Sequence, residues 1–378
     1  MNVNRPTNLG WLIRRLGVAL LVAALLPIFT AGPRVAHAQS DQPGAVYVLT
    51  NDPAGNAVLV YGRGSDGSLT PFGAFATGGT GSGTGLGSQG AVIVSDNHQL
   101  LFTVNAGSNT ISAFRIESNQ SLTLVSTLPS GGVRPTSVAF AKGLLYVLNA
   151  GTPNNLSGFT VAPDGSLTAL ADSTRPLSAD NTNPAQVSFD DSGATVIVTE
   201  RLTNRIVTYT VGRDGRLSGP IAHPSAGPVP FGFAIDKRNT LLVSEAGPGG
   251  GASSYRVGGD GSVTPVSSML MTGQRAACWA VVTKNGRYGY VTNAGTGNIS
   301  GFALGQDGSA ALLNADGVTA ITGGNPTDAA VSHNGRFLYV RVALLNSIAI
   351  FAINADGSLT TLPALTGTPN NLVGLAGY

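Results

Sequence analysis

Two glutamates stand out as groups able to move a proton. Glu200 closes the apolar run Val196-Ile197-Val198-Thr199, and Glu245 closes Leu241-Leu242-Val243-Ser244. The equivalent strand ends elsewhere in the chain read Thr50, Asn105, Asn149, Asn293 and Val342. A glutamate at this place breaks the pattern without helping a strand to form, and such departures are expected at functional sites. Two carboxylates brought close together resist double ionisation, which raises one pKa and yields a general base usable near neutral pH. His223 falls between them in the chain and is the third candidate for proton transfer. Arg134, Arg275 and Arg341, with Arg201 and Arg205 beside Glu200, offer paired donors suited to a carboxylate or a developing oxyanion. Asn149 and Asn293 are candidates for holding a substrate by hydrogen bonds. The alternative is that each glutamate accepts N–H bonds within its own loop and each arginine pairs with a neighbouring acid.

The elements that must position these groups repeat along the chain. The unit is an apolar strand, a turn, a second strand, a loop, a third strand ending in an aromatic, then Asp-Gly and a fourth strand. The aromatics are Tyr61, Phe114, Phe159, Tyr209, Tyr255, Phe302 and Phe351, at intervals of 53, 45, 50, 46, 47 and 49 residues. That spacing belongs to four-stranded propeller blades. Five residues after each aromatic comes Asp66, Asn119, Asp164, Asp214, Asp260, Asp307 or Asp356, followed by glycine in every case except Gln120. Asp-Gly suits a two-residue hairpin of the primed type. The fold expected is an all-β, seven-bladed propeller. Ala45–Val48 reads as a second strand without a first, and Leu372–Ala376 as a first strand without a blade. Pairing the two closes the ring and removes its open edges. A linear β-solenoid is the competing architecture, but it does not explain why the two partial units complete one another.

Residues 1–38 read as a signal peptide, and 39–378 as the propeller domain. Arg5, Arg14 and Arg15 precede the apolar run Leu16–Phe29, and Ala36-His37-Ala38 fits a cleavage site. The run is short for a membrane span, which needs about 20 residues; a retained anchor is the alternative. The expected location is secreted or periplasmic, as a monomer with no stable membrane insertion after cleavage. Removal of Arg5, Arg14, Arg15 and Arg34 leaves 17 basic and 19 acidic residues, a formal charge of −2. Such a chain offers no broad attraction to nucleic acid. The single cysteine, Cys278, excludes an internal disulfide and a multi-cysteine zinc site, and is expected to be buried. Gly78–Gly90 is a glycine-rich stretch without the Lys-Ser/Thr ending of a phosphate loop, and is expected to form a flexible loop or lid. His98 and His333 fall in turns on the face opposite the glutamates and read as solvated turn residues.

Tyr290-Val291-Thr292-Asn293-Ala294-Gly295, followed by Asn298-Ile299-Ser300-Gly301-Phe302, resembles the YVTN-type propeller repeat. With its Asp-Gly-Ser-Leu-Thr hairpins, the region after residue 38 is similar throughout to the seven-bladed lactonase family, which includes propeller 6-phosphogluconolactonases and 3-carboxymuconate lactonizing enzymes. The family pattern places Pro-Arg-His at the start of one inner strand and Asn-Glu at the end of the next. The matching blade here reads Pro184-Ala185-Gln186 and then Val198-Thr199-Glu200. The glutamate is present, while Ala185 and Gln186 stand in the arginine and histidine places.

Two functions follow as expectations. In the first, an exported enzyme hydrolyses or isomerises a lactone or other carboxylated small molecule. Glu200 or Glu245 acts as base, and Arg134, Arg275 or Arg341 holds the substrate. In the second, the propeller is a non-catalytic extracytoplasmic scaffold for a cell-surface ligand. Neither requires a cofactor or a metal. Oxygen ligation of calcium by Asn105, Asn149, Glu200, Glu245 and Asn293 is a lesser alternative. Export argues against 6-phosphogluconolactone as substrate, because that metabolite is cytosolic.

Overall fold

The computed structural model describes residues 44–378; the segment read as a signal peptide lies outside them. Seven antiparallel sheets form the blades of a propeller, and the outer strand is split in two of them, blades 3 and 6. Blade 1 is built from Gly44–Leu49, Ala57–Arg63 and Leu69–Ala76, and its innermost strand is Val373–Gly377 from the far end of the chain. The closing register pairs Val46 with Gly377, Tyr47 with Ala376 and Val48 with Leu375. Among the described residues the single short helical turn is Ala343–Leu345, and no helix is long and apolar enough to cross a membrane.

The repeat aromatics on the third strands are buried in all seven blades. Tyrosines on three second strands do a second job. Tyr146, Tyr290 and Tyr339 each donate their hydroxyl to the carbonyl of a hairpin glycine in the next blade, Gly215, Gly357 and Gly67 respectively, at 2.7, 2.8 and 3.0 Å. Each bond satisfies a buried hydroxyl and stitches two blades together.

The Asp-Gly hairpins differ in type from the expectation. In the first, Gly67 N–H donates to Gly64 O and Gly64 N–H to Ser68 O, so the loop is a type I turn followed by a left-handed residue. Only the glycine has positive φ, +87° at Gly67. The aspartate keeps an ordinary backbone, and its carboxylate accepts the Ser68 N–H and hydroxyl at 3.0 and 2.6 Å. A side chain at Gly67 would also meet the Phe337 ring at 2.5 Å, so glycine is required for space as well as for φ.

Candidate functional site

In most blades the side chain ending the second strand acts as a clasp, on the connector that enters its own blade or on its own third strand. In blade 2 the Asn105 side-chain oxygen accepts the Thr77 hydroxyl at 2.7 Å. In blade 3 the Asn149 amide reaches Asn155 Oδ1 at 2.9 Å and Ser130 O at 3.3 Å. In blade 6 the Asn293 amide is held by Asn298 Oδ1 and Ser300 Oγ, both at 2.8 Å. Connector glycines lie directly on these side chains: Gly79 on Asn105 and Gly132 on Asn149.

Glu200 and Glu245 are variants of this clasp, fully buried and engaged separately. Glu200 accepts the Ser178 N–H at 2.9 Å and the Thr203 hydroxyl at 2.6 Å, and the Ser178 hydroxyl binds its other oxygen as well. Glu245 accepts the Ser225 hydroxyl at 2.8 Å beneath Gly227, with the Tyr255 hydroxyl at 3.5 Å and the Ser253 hydroxyl close by. The two carboxylates share no hydrogen-bond partner, and Glu200 is not among the groups that act on Glu245. Burial instead pushes Glu245 up from 4.5 to about 7.

This has a consequence for stability. The folded state holds a proton on Glu245 between pH 4.5 and 7 that the unfolded chain has released. Its contribution is therefore full below 4.5 and lost as pH rises toward 7, a change of about 3 kcal/mol. The Glu245→Gln protein should lack that loss. Urea midpoints measured from pH 4.5 to 7.5 should converge with wild type at the acid end and exceed it at the neutral end. Parallel curves would show that Glu245 is ionised at no such cost. The difference between the two proteins is the test, because burial holds His98 and His333 below the usual imidazole range, and their protonation opposes this trend.

The centre of the ring is plugged. The connector expected to be a loose lid runs across the channel at Leu86–Gly90. Ser88 donates its hydroxyl to Thr136 O of blade 3, and Trp279 of blade 6 donates its indole N–H to Ser88 O at 3.0 Å. The Gln89 amide spans to blade 6, donating to Ala280 O at 2.8 Å and accepting Ala280 N–H at 3.0 Å. Its backbone N–H donates to Ala185 O. Gln186 makes the same two-way bridge to Phe233 of blade 5, at 3.0 and 2.7 Å. Ala185 and Gln186, which replace arginine and histidine in the sequence pattern, thus hold the plug and the neighbouring blade.

Beside the plug, blades 6, 7 and 1 leave a cavity of ≈ 400 Å³ on the top face, the one bearing the loops between second and third strands. Two charged groups face it, Asp328 and Arg341. Asp328 sits at a bulge in the inner strand Pro326–Val331 with φ +51°, a left-handed conformation that the closing strand meets with a glycine, Gly374. Burial raises the Asp328 carboxyl to about 7, partly offset by Arg341 and by the N–H groups of Gly374, Leu375 and Ala329. Arg341 is buried, and its Nη1 donates to Thr327 Oγ1 at 2.6 Å. No carboxylate lies within 4.0 Å of it among the described residues, so its charge is coupled to Asp328 across a gap.

Arg341 is the one residue singled out from the sequence that lines this cavity. Burial, with the charge of Arg134, holds Arg201 below the usual guanidinium range, and Arg201 stacks over the Phe231 ring at 4.9 Å. Arg275 is exposed and donates to Gly295 O at 3.3 Å. His223 sits on an outer strand, Leu217–Pro224, with Nε2 3.0 Å from the Thr208 hydroxyl and 3.1 Å from Gly261 O. It is remote from the inner strands because fourth strands form the rim. Cys278 is buried and its thiol pushed up to about 12 by desolvation. Among the described residues no group of three histidine, cysteine or acidic side chains is placed to hold a metal ion. On the bottom face, His98 and His333 pack edge to face at 4.3 Å, and His98 stacks on Tyr378 at 4.6 Å; His98 is partly buried, while His333 stays exposed in its turn.

Asp328 carried a legible signal: a carboxylate inside an otherwise apolar inner strand, Pro326-Thr327-Asp328-Ala329-Ala330-Val331. Attention to the ends of second strands passed over it.

A ring of seven antiparallel blades closed by its C-terminal strand makes the chain a seven-bladed β-propeller. The model of the family described as lactonase, 7-bladed beta-propeller matches residues 30–175 and 153–247, and the chain belongs to that family. No curated protein matches it in sequence. Among solved structures it is similar to a protein of Bacteroides uniformis provisionally assigned as a 6-phosphogluconolactonase. That match has 16% identity and a TM-score of 0.73, and covers 90% of this chain and 100% of that one. It is also similar to the Pseudomonas aeruginosa periplasmic gluconolactonase PpgL, with 17% identity, a TM-score of 0.71 and coverage of 88% and 99%. At these identities the likeness carries the fold.

Proposed function

We propose that the protein hydrolyses a lactone in the cavity between Asp328 and Arg341. The observation that carries this reading is the buried acid held on a left-handed bulge and facing a buried arginine across open space. Strained backbone of this kind is retained where it positions a working group. Asp328 takes a proton from water as the water oxygen attacks the ring carbonyl carbon. The Arg341 guanidinium stabilises the oxyanion that develops. Collapse of the tetrahedral species breaks the ring C–O bond, and the proton passes to the departing alkoxide, giving a hydroxy acid. Glu200, satisfied by three hydrogen bonds, serves the connector rather than the chemistry.

A hydrolysis screen over aldonolactones, muconolactones and alkyl lactones tests the proposal. Absence of turnover together with retained ligand binding would favour the scaffold function, which the plugged channel and Ala185-Gln186 support. We also propose export, on the strength of the N-terminal arginines, the apolar run and Ala36-His37-Ala38. Intact mass of the exported protein should correspond to a chain beginning at Gln39; a species retaining Arg14 and Arg15 would refute it.

A further inference from the structure

We infer that the ligand of the Asp328–Arg341 cavity is a lactone bearing an extended apolar substituent, not a polyhydroxylated or phosphorylated sugar lactone. This rests on the lactone-hydrolysis reading of the same cavity. Apart from Asp328 and Arg341, the apolar walls are Leu86, Trp279, Leu344, Leu372 and Val373, and the polar side chains are Ser88, Thr327, Asn325 and Asn371. The Trp279 N–H is already committed to Ser88 O, so the indole offers its ring surface and no donor. Arg341 has spent one donor on Thr327, and its charge is faced by Asp328. A phosphate dianion would meet one cation and one acid there, which is a poor anion site. The Ser88 and Thr327 hydroxyls are already engaged with Thr136 O and Arg341, so a sugar lactone would bring more hydroxyls than Asn325 and Asn371 can meet among the apolar walls. At the mouth, Leu344 is 77% exposed on the turn Ala343–Leu345, with Leu345 beside it at 54%. A soluble surface gains nothing by presenting two leucines to water. A substituent leaving the cavity past Leu344 would cover apolar surface at the mouth.

Trp279 supplies the measurement. The chain has two tryptophans, Trp11 and Trp279, so the full chain carrying Trp11→Phe reports on this cavity alone. Its fluorescence should be titrated with γ-butyrolactone, γ-hexalactone, γ-octalactone and γ-decalactone, and with glucono-δ-lactone and 6-phosphogluconate. Affinity should rise about fourfold per added methylene until the chain clears the mouth. The two sugar ligands should bind at least about 100-fold more weakly than γ-decalactone, and Leu344→Ser should flatten the series. A flat series, no response to any alkyl lactone, sugar ligands binding as tightly, or an undiminished slope in Leu344→Ser would each overturn the inference. Hydrolysis assays on the alkyl lactones and glucono-δ-lactone separate it from the activity it rests on. Length-dependent binding without turnover would sink the hydrolase reading and leave the ligand class standing. Turnover with preference for the sugar lactone would do the reverse.

Discussion

Truncation after Asn370 should abolish cooperative folding. The lost segment supplies the innermost strand of blade 1, and with it the buried side chains of Leu372 and Leu375. Deleting a buried leucine side chain typically costs about 2–5 kcal/mol, and here two go together with a whole hydrogen-bonded edge. The loss also removes the Gly374 and Leu375 N–H groups that face the Asp328 carboxylate. Those terms reach the net stability of an ordinary domain, about 5–15 kcal/mol. Circular dichroism melts should show no sharp transition, and size-exclusion chromatography should show aggregates. A truncated protein that stays monomeric and melts within a few degrees of the full chain would mean that the ring does not depend on its closing strand.

Asp328→Asn should lower kcat/KM for any lactone substrate by about 10²–10⁴-fold, the usual contribution of a positioned general base. The amide keeps the shape of the carboxylate, so the fold should survive. The variant should melt no lower than wild type at neutral pH, where the buried acid otherwise has to ionise. In wild type, the base works only when deprotonated, and burial sets its pKa at about 7. The rate should therefore climb about tenfold per pH unit below 7 and level off above it. Arg341→Lys keeps a charge but loses the planar fork, and should depress kcat more than it raises KM. Undiminished turnover by Asp328→Asn, or a rate indifferent to pH from 5 to 8, would remove Asp328 from the chemistry.

The ring and its closure were legible because they rest on spacing that short strands repeat seven times. Hairpin type was misread because Asp-Gly fits both a two-residue turn and a type I turn with a left-handed glycine. The second requires only one residue of positive φ, and its serine satisfies the aspartate. The site was harder to see. Glu200 and Glu245 stood out against asparagines, but Ser178 and Ser225, distant in sequence, supply the protons that those carboxylates accept. Arg341 was legible as a cation on the right face. What it faces depends on a bulge at Asp328 and on the far end of the chain, and periodicity reports neither. The plug was the least legible feature. Its bonds from Ser88 and Gln89 to Trp279 and Ala280 join residues 191 positions apart, through a stretch whose composition reads as linker.

The Gln89 bridge acts as a tie rod across the hub. Blades 2 and 6 are as far apart as blades in a ring of seven can be, and one amide fixes the separation of their inner strands. The ring therefore resists flattening into an oval, helped by the plug's bonds to Trp279, Thr136 and Ala185. The same rod makes the hub a dead end on its upper side. Whatever enters beside Arg341 has to leave by the same mouth, so in the proposed reaction the hydroxy acid would obstruct the next lactone until it departs.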